Sequence, residues 1–138
     1  MRILHQHGQL DLSQTNIDAT FAPAKAGGNT RKGKGTKIEI VSEGHSIPIS
    51  LIVASANEAK ITLAETTVRA IRIPMARGRP KTRPKLVCGD RAYDSQAFRR
   101  KLEQRGSKSA IPERTSSQRK RRKLGPKPLL GLATLDEC

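Results

Sequence analysis

Aromatic side chains are almost missing from this 138-residue chain, which holds two Phe, one Tyr and no Trp. Single-stranded nucleic acids and RNA loops are gripped by stacking their bases on such rings, so the scarcity argues against a dedicated single-strand or RNA-loop binder. It also limits the core, because large rings supply much of the buried area of a small domain. Cysteine is nearly as rare. Cys88 and Cys138 form no CxxC unit, so neither a zinc knuckle nor a disulfide framework is indicated. Cys88, inside an apolar run, is expected to be buried. No apolar run is long enough to cross a bilayer or to act as a secretory signal, and a soluble, cytoplasmic protein is expected. Acids are the last shortage. Twelve Asp and Glu stand against 27 Lys and Arg, a formal net charge of +15. That excess favours a polyanionic partner, since each neutralised phosphate releases condensed counterions. With few rings for stacking, duplex DNA held through its phosphates is the leading partner. An acidic membrane fits less well, because no basic amphipathic helix presents a Trp, Phe or Leu face.

The chain that remains reads as an α/β domain over 15–114, between a polar N-terminal segment (1–14) and a basic, irregular tail (115–138). His5 and His7 belong to the first segment and read as a solvated terminus. Residues 15–21 (TNIDATF) are rich in β-branched and apolar side chains and predict a strand with Asp18 near its middle. Residues 24–37 hold four glycines with Arg31, Lys32, Lys34 and Lys37, and predict a flexible basic loop. They contain neither GxxxxGK[ST] nor GxGxxG, so no nucleotide cradle is indicated. Residues 37–41 (KIEIV) and 47–54 (IPISLIVA) predict two more strands, joined by a turn at 42–45 in which His45 is exposed. A helix is predicted over 57–71, then an extended basic loop over 74–84 that carries Arg77, Arg79, Lys81 and Arg83. Residues 85–88 (KLVC) read as a strand buried on both faces, with Asp90 at its end. Asp94 or Ser95 caps a helix over 96–105, where Phe98 and Leu102 form an i, i+4 pair and Gly106 is the stop. A short strand over 109–112 is a candidate, and a basic block follows at 119–123.

Two acids need a reason in so basic a chain. If the strands carrying Asp18 and Asp90 are neighbours, both carboxylates can bind one divalent metal. Magnesium suits such a site, because it takes hard oxygen ligands, often only one or two carboxylates, and keeps positions for water and phosphate. The plainer alternatives are that Asp18 faces solvent, that Asp90 pairs with Arg91 or caps its turn, and that Asp94 is a helix cap.

The residues Ile17-Asp18-Ala19-Thr20, Lys34-Gly35-Thr36-Lys37-Ile38, Ala54-Ser55-Ala56-Asn57 and, above all, Gly89-Asp90-Arg91-Ala92-Tyr93-Asp94-Ser95 carry a resemblance. Together they resemble the catalytic core of a bacterial insertion-sequence transposase of the DDE class. The resemblance implies an RNase H-like fold, with a mixed sheet of three antiparallel and then parallel strands, flanking helices, and an incomplete C-terminus. It implies Asp18 and Asp90 as the catalytic and metal-holding pair, with Mg2+ or Mn2+ as cofactor. It further implies duplex DNA, the element ends and the target, as partner, possible homo-oligomers, and magnesium-dependent strand cleavage and transfer as the activity. Arg31, Lys32, Lys34, Lys37, Arg77, Arg79, Lys81, Arg83 and Arg91 are then the candidate DNA contacts. The family's third acid is a Glu on a helix, within a context this chain does not show; Glu137, beside the last residue, is not assigned that role. Glu58-Ala59 stands where the family tends to carry His-Asp. A fragment without its own enzymatic activity is therefore expected, and the alternative function is a DNA-binding or regulatory remnant. A small basic ribosomal-type protein ranks behind both.

Overall fold

The computed structural model describes residues 10–114. Its sheet has five strands: β1 (Gln14–Thr30), β2 (Gly33–Glu43), β3 (Pro48–Ser55), β4 (Leu86–Gly89) and β5 (Lys108–Ala110). Helix α1 (Lys60–Arg69) joins β3 to β4; a single 3-10 turn (Arg91–Tyr93) and helix α2 (Gln96–Gln104) join β4 to β5. The strand order is β3-β2-β1-β4-β5. β1, β2 and β3 form an antiparallel meander, while β4 pairs parallel to both β1 and β5. The architecture is thus α/β with a mixed sheet, and β1 is the strand at which antiparallel pairing gives way to parallel.

The glycine-rich stretch is not a flexible loop. β1 continues through it to Thr30, turns at Arg31-Lys32 and returns as β2. The register slips between Pro23 and Gly28, both of which pair with Gly35. The glycines there make room for packing rather than for motion. At Gly27, where φ is +148°, an added Cβ would fall 2.4 Å from the Gly35 carbonyl oxygen, and one at Gly35 would fall 2.5 Å from the Phe21 ring. Backbone and ring occupy space that only glycine leaves open. The Thr30 hydroxyl donates to the Gly33 carbonyl at 2.9 Å and accepts from Lys32 N at 3.1 Å, closing the hairpin tip.

Residues 74–84 are also more ordered than an extended loop. Ile73 and Lys81 exchange both backbone hydrogen bonds at 2.9 Å, which folds the segment back on itself. The Ser107 hydroxyl anchors its end by donating to the Pro84 carbonyl at 2.7 Å. Leu10 joins the core and Lys85 N donates to the Leu12 carbonyl, so the chain from Leu10 on packs against the sheet, with Ser13 left exposed. The first helix runs only Lys60–Arg69, shorter than the predicted 57–71, because Asn57-Glu58 are spent in a turn. His5 and His7, the basic block at 119–123 and Glu137 lie outside the described residues.

The core lies on one face of the sheet. Ile17, Val41 and Val87 meet Ala64 and Val68 of α1 and Phe98 and Leu102 of α2. Val87 and Cys88 point to opposite faces of β4 and both are buried, as predicted for that strand. The opposite face of the meander carries Ile38, Ile40, Leu51 and Val53, the last two being 54% and 59% exposed. At α2 the cap is Ser95, whose hydroxyl accepts from Phe98 N. Ser95→Ala should cost about 1 kcal/mol, read as a shift in the denaturant midpoint; an unchanged midpoint would show that this cap is not formed. Among the described residues no helix is long and apolar enough to cross a membrane.

Candidate functional site

The parallel pairing of β1 with β4 builds the site. Its last register pair is Ile17↔Gly89, so Asp18 and Asp90, far apart in the chain, each follow directly on one member of that pair. Asp90 keeps extended backbone angles (φ −75°, ψ 173°) before the chain turns into the 3-10 helix. Both acids are exposed. Asp18 accepts from Ala19 N at 2.7 Å. Asp90 accepts from Ala92 N at 2.8 Å and so does cap its turn. Its charged partner is Lys60 rather than Arg91: the Lys60 ammonium lies 3.4 Å from each Asp90 carboxylate oxygen.

Lys60 opens α1 and crosses the ring of Tyr93, with its nitrogen 4.0 Å from the ring centroid. Tyr93 is fully buried. Beneath it lies Glu39, also fully buried, one strand over from Asp18 and opposite Ala19. Because side chains alternate along β1, Glu39 lies on the helix-covered face and Asp18 on the other. The Glu39 carboxyl and the Tyr93 hydroxyl are buried against each other, with no other hydrogen-bond partner among the described residues. Burial pushes the Glu39 carboxyl above its ordinary value, against the pull of the Tyr93 hydroxyl and the Lys60 charge. Burial, and then the Glu39 carboxyl, push the Tyr93 phenol up as well, and the charges of Asp18 and Asp90 add to this. Glu43, on the same strand and face, shows the contrast. Burial raises its carboxyl too, but Asp11 N (2.7 Å), Ile47 N (3.0 Å) and His45 N (2.8 Å) donate to it and hold it low.

Asp94 belongs to a separate structural clamp. It accepts from Arg114 N at 2.6 Å and from Arg99 Nη2 at 2.9 Å, which together hold its carboxyl below the usual range. It is not the cap of α2. Among the described residues no three His, Cys, Asp or Glu side chains converge as a metal cluster. Asp18 lies inside β1 and Asp90 just past the end of β4, and the Lys60 ammonium is seated against Asp90.

The nine basic candidates do not converge. Arg31, Lys32 and Lys34 cluster at the tip of the β1-β2 hairpin. Lys37 is turned inward, its ammonium donating to the Glu58 carbonyl. Arg79, Lys81 and Arg83 line a cleft with Arg72, Lys85 and Arg105. That cleft lies by the start of β4, the end away from Asp90, because Lys85 immediately precedes Leu86. Arg77 stands in the same loop, and Arg91 opens the 3-10 turn beside Asp90.

With this geometry in place, similarity to known proteins decides the family. Residues 10–133 match the family model described as Transposase DDE domain. The chain belongs to that family. A Burkholderia cepacia protein named as a transposase for insertion sequence element IS402 is 37% identical over 85 residues, which cover 61% of this chain and 40% of that relative's length. The chain is also similar to a cryo-EM structure titled as a piggyBac transposase synaptic complex with hairpin DNA. That match has 18% identity and a TM-score of 0.48, over 85% of this chain and 26% of the other. Within this DDE transposase chain, three residues around the site escaped the sequence reading: Lys60, Tyr93 and Glu39. Tyr93 had a signal, as the lone tyrosine in the GDRAYDS stretch. Glu39 had a weaker one, as an acid in a strand that alternates with period two.

Proposed function

We propose that this chain is an RNase H-like transposase core that binds duplex DNA and presents Asp18 and Asp90 as the carboxylate pair for a divalent ion, magnesium or manganese. The observation that supports the reading is the parallel Ile17↔Gly89 pair, directly after which Asp18 and Asp90 follow. Such an ion, when bound, supplies Lewis-acid stabilisation of phosphoryl oxygens and an activated hydroxyl for in-line displacement. The chain's own part is to hold one carboxylate within β1 and the other just past the end of β4, and to draw the phosphate backbone with its positive charge. The described residues provide two of the acids that cleavage chemistry uses.

Calcium, which binds oxygen ligands without driving catalysis, gives a direct test. At constant ionic strength it should tighten wild-type binding to duplex DNA and leave Asp18→Asn and Asp90→Asn unaffected. An equal calcium response in all three proteins would sink the assignment. Affinity should also fall steeply with salt, by about 0.9 logarithmic units per phosphate contact for each tenfold rise in salt. Replacing both Arg31 and Lys32 by alanine should lower that slope by about 2 and weaken all sequences alike. A slope identical to wild type would remove the hairpin tip from the interface.

A further inference from the structure

Asp90 stands between two neighbours of opposite charge, Asp18 on β1 and Lys60 at the start of α1. The ammonium of Lys60 is pinned from two sides, by the Tyr93 ring at 4.0 Å and by both Asp90 oxygens at 3.4 Å. Its side chain is 24% exposed against 61% for Asp90. The cation is therefore the less hydrated partner, and leaving the carboxylate means losing its ion pair while the ring still keeps water from one side of it.

We infer that Lys60 is a resident counter-cation of the carboxylate pair, which competes with a divalent ion for Asp90 and so sets the metal affinity of the site. The inference rests on the proposed reading of Asp18 and Asp90 as a metal-holding pair. Two neighbouring carboxylates repel each other, and the ammonium offsets that repulsion when no metal is bound. A divalent ion that approaches Asp90 meets a positive charge already seated against both oxygens. It must push that charge aside or share the carboxylate with it. Even in a water-like dielectric, a single charge about 4 Å from a divalent ion opposes binding by about thirtyfold. Lysine suits this role better than arginine, since a compact ammonium can withdraw along its flexible stem, whereas a guanidinium would grip both oxygens in a planar fork. Glu39 reinforces the arrangement from below, because its carboxyl and the Lys60 charge act on each other across Tyr93.

The test is Mn2+ binding to the purified full chain without DNA, followed by the electron paramagnetic resonance signal of free manganese. Lys60→Met should bind about ten- to thirtyfold tighter than wild type. Lys60→Gln, which keeps the length of the side chain, should do the same, and circular dichroism melts report whether either variant is folded. Lys60→Arg keeps the charge and should not tighten binding. If both neutral variants bind as wild type or more weakly while Asp90→Asn abolishes binding, Lys60 is a structural clamp and the inference is overturned, with the metal-site reading intact. If Asp90→Asn binds Mn2+ as wild type does, the metal-site reading fails and takes this inference with it.

Discussion

Replacing Tyr93 with alanine should destabilise the protein by about 3–5 kcal/mol, the range for emptying a buried aromatic site. The ring has no exposed surface. It packs close over Gly89, where an added Cβ would lie 3.1 Å from Tyr93 Cδ2 and 2.9 Å from Ile17 Cγ2. Cutting it back leaves a cavity at the β1-β4 junction and removes the surface on which Lys60 rests. Against a total stability of about 5–15 kcal/mol for a small domain, such a loss leaves a substantial unfolded fraction. Tyr93→Phe separates the ring from the hydroxyl. The hydroxyl is buried and faces the Glu39 carboxyl, so removing it should cost far less than removing the ring, about 0.5–1.5 kcal/mol, the net contribution of one hydrogen bond. Urea titrations of both variants check this. A Tyr93→Ala cost below about 1 kcal/mol would mean that the ring is not part of the packed core.

Glu39→Met should act in the opposite direction and stabilise the protein at pH 7 by about 1–3 kcal/mol, as replacing buried ionic groups with apolar ones often does. The sign of the pH dependence follows from the raised carboxyl. In the folded protein Glu39 keeps its proton to higher pH than in the unfolded chain, where it titrates near its ordinary value of 4.5. Between those two points the folded state binds more protons, so stability falls as pH rises. The penalty is absent below the unfolded value and complete above the folded one. The advantage of Glu39→Met should therefore be largest at neutral pH and shrink toward pH 4. Urea midpoints measured from pH 4 to pH 8 give the comparison. A constant difference across that range would show that Glu39 does not titrate abnormally.

The succession of elements along the chain and both helices were legible in the sequence because hydrophobic period and turn residues agreed with one another, whereas the order of strands in the sheet was not. The second helix is the clearest case, with Ser95 before it, Phe98 and Leu102 on one face and Gly106 after it. The glycine-rich segment was misleading for a physical reason. Gly27 and Gly35 signal flexibility when read alone, yet here they leave the space into which a backbone and the Phe21 ring fit. KIEIV gave its period but not its facing. The alternation suggests isoleucines inward and charges outward, whereas the Ile17↔Val41 pairing turns Glu39, Val41 and Glu43 toward the helices. Only the register with a distant strand decides that. Asp18 and Asp90 stood out as acids in a basic chain. Lys60 did not, because one more lysine among many carries no signal until the fold sets it on Tyr93.

The β1-β4 pairing also has a kinetic consequence. The β1-β2-β3 meander closes through short connections, but β4 joins β1 only after the whole of α1 and the basic loop has been traversed, and such long closures come late and cost chain entropy. Asp18 is in its strand as soon as the meander forms, and still lacks a neighbour. The nearness of Asp18 and Asp90 is consequently the product of a long-range closure, formed after the local meander and not with it.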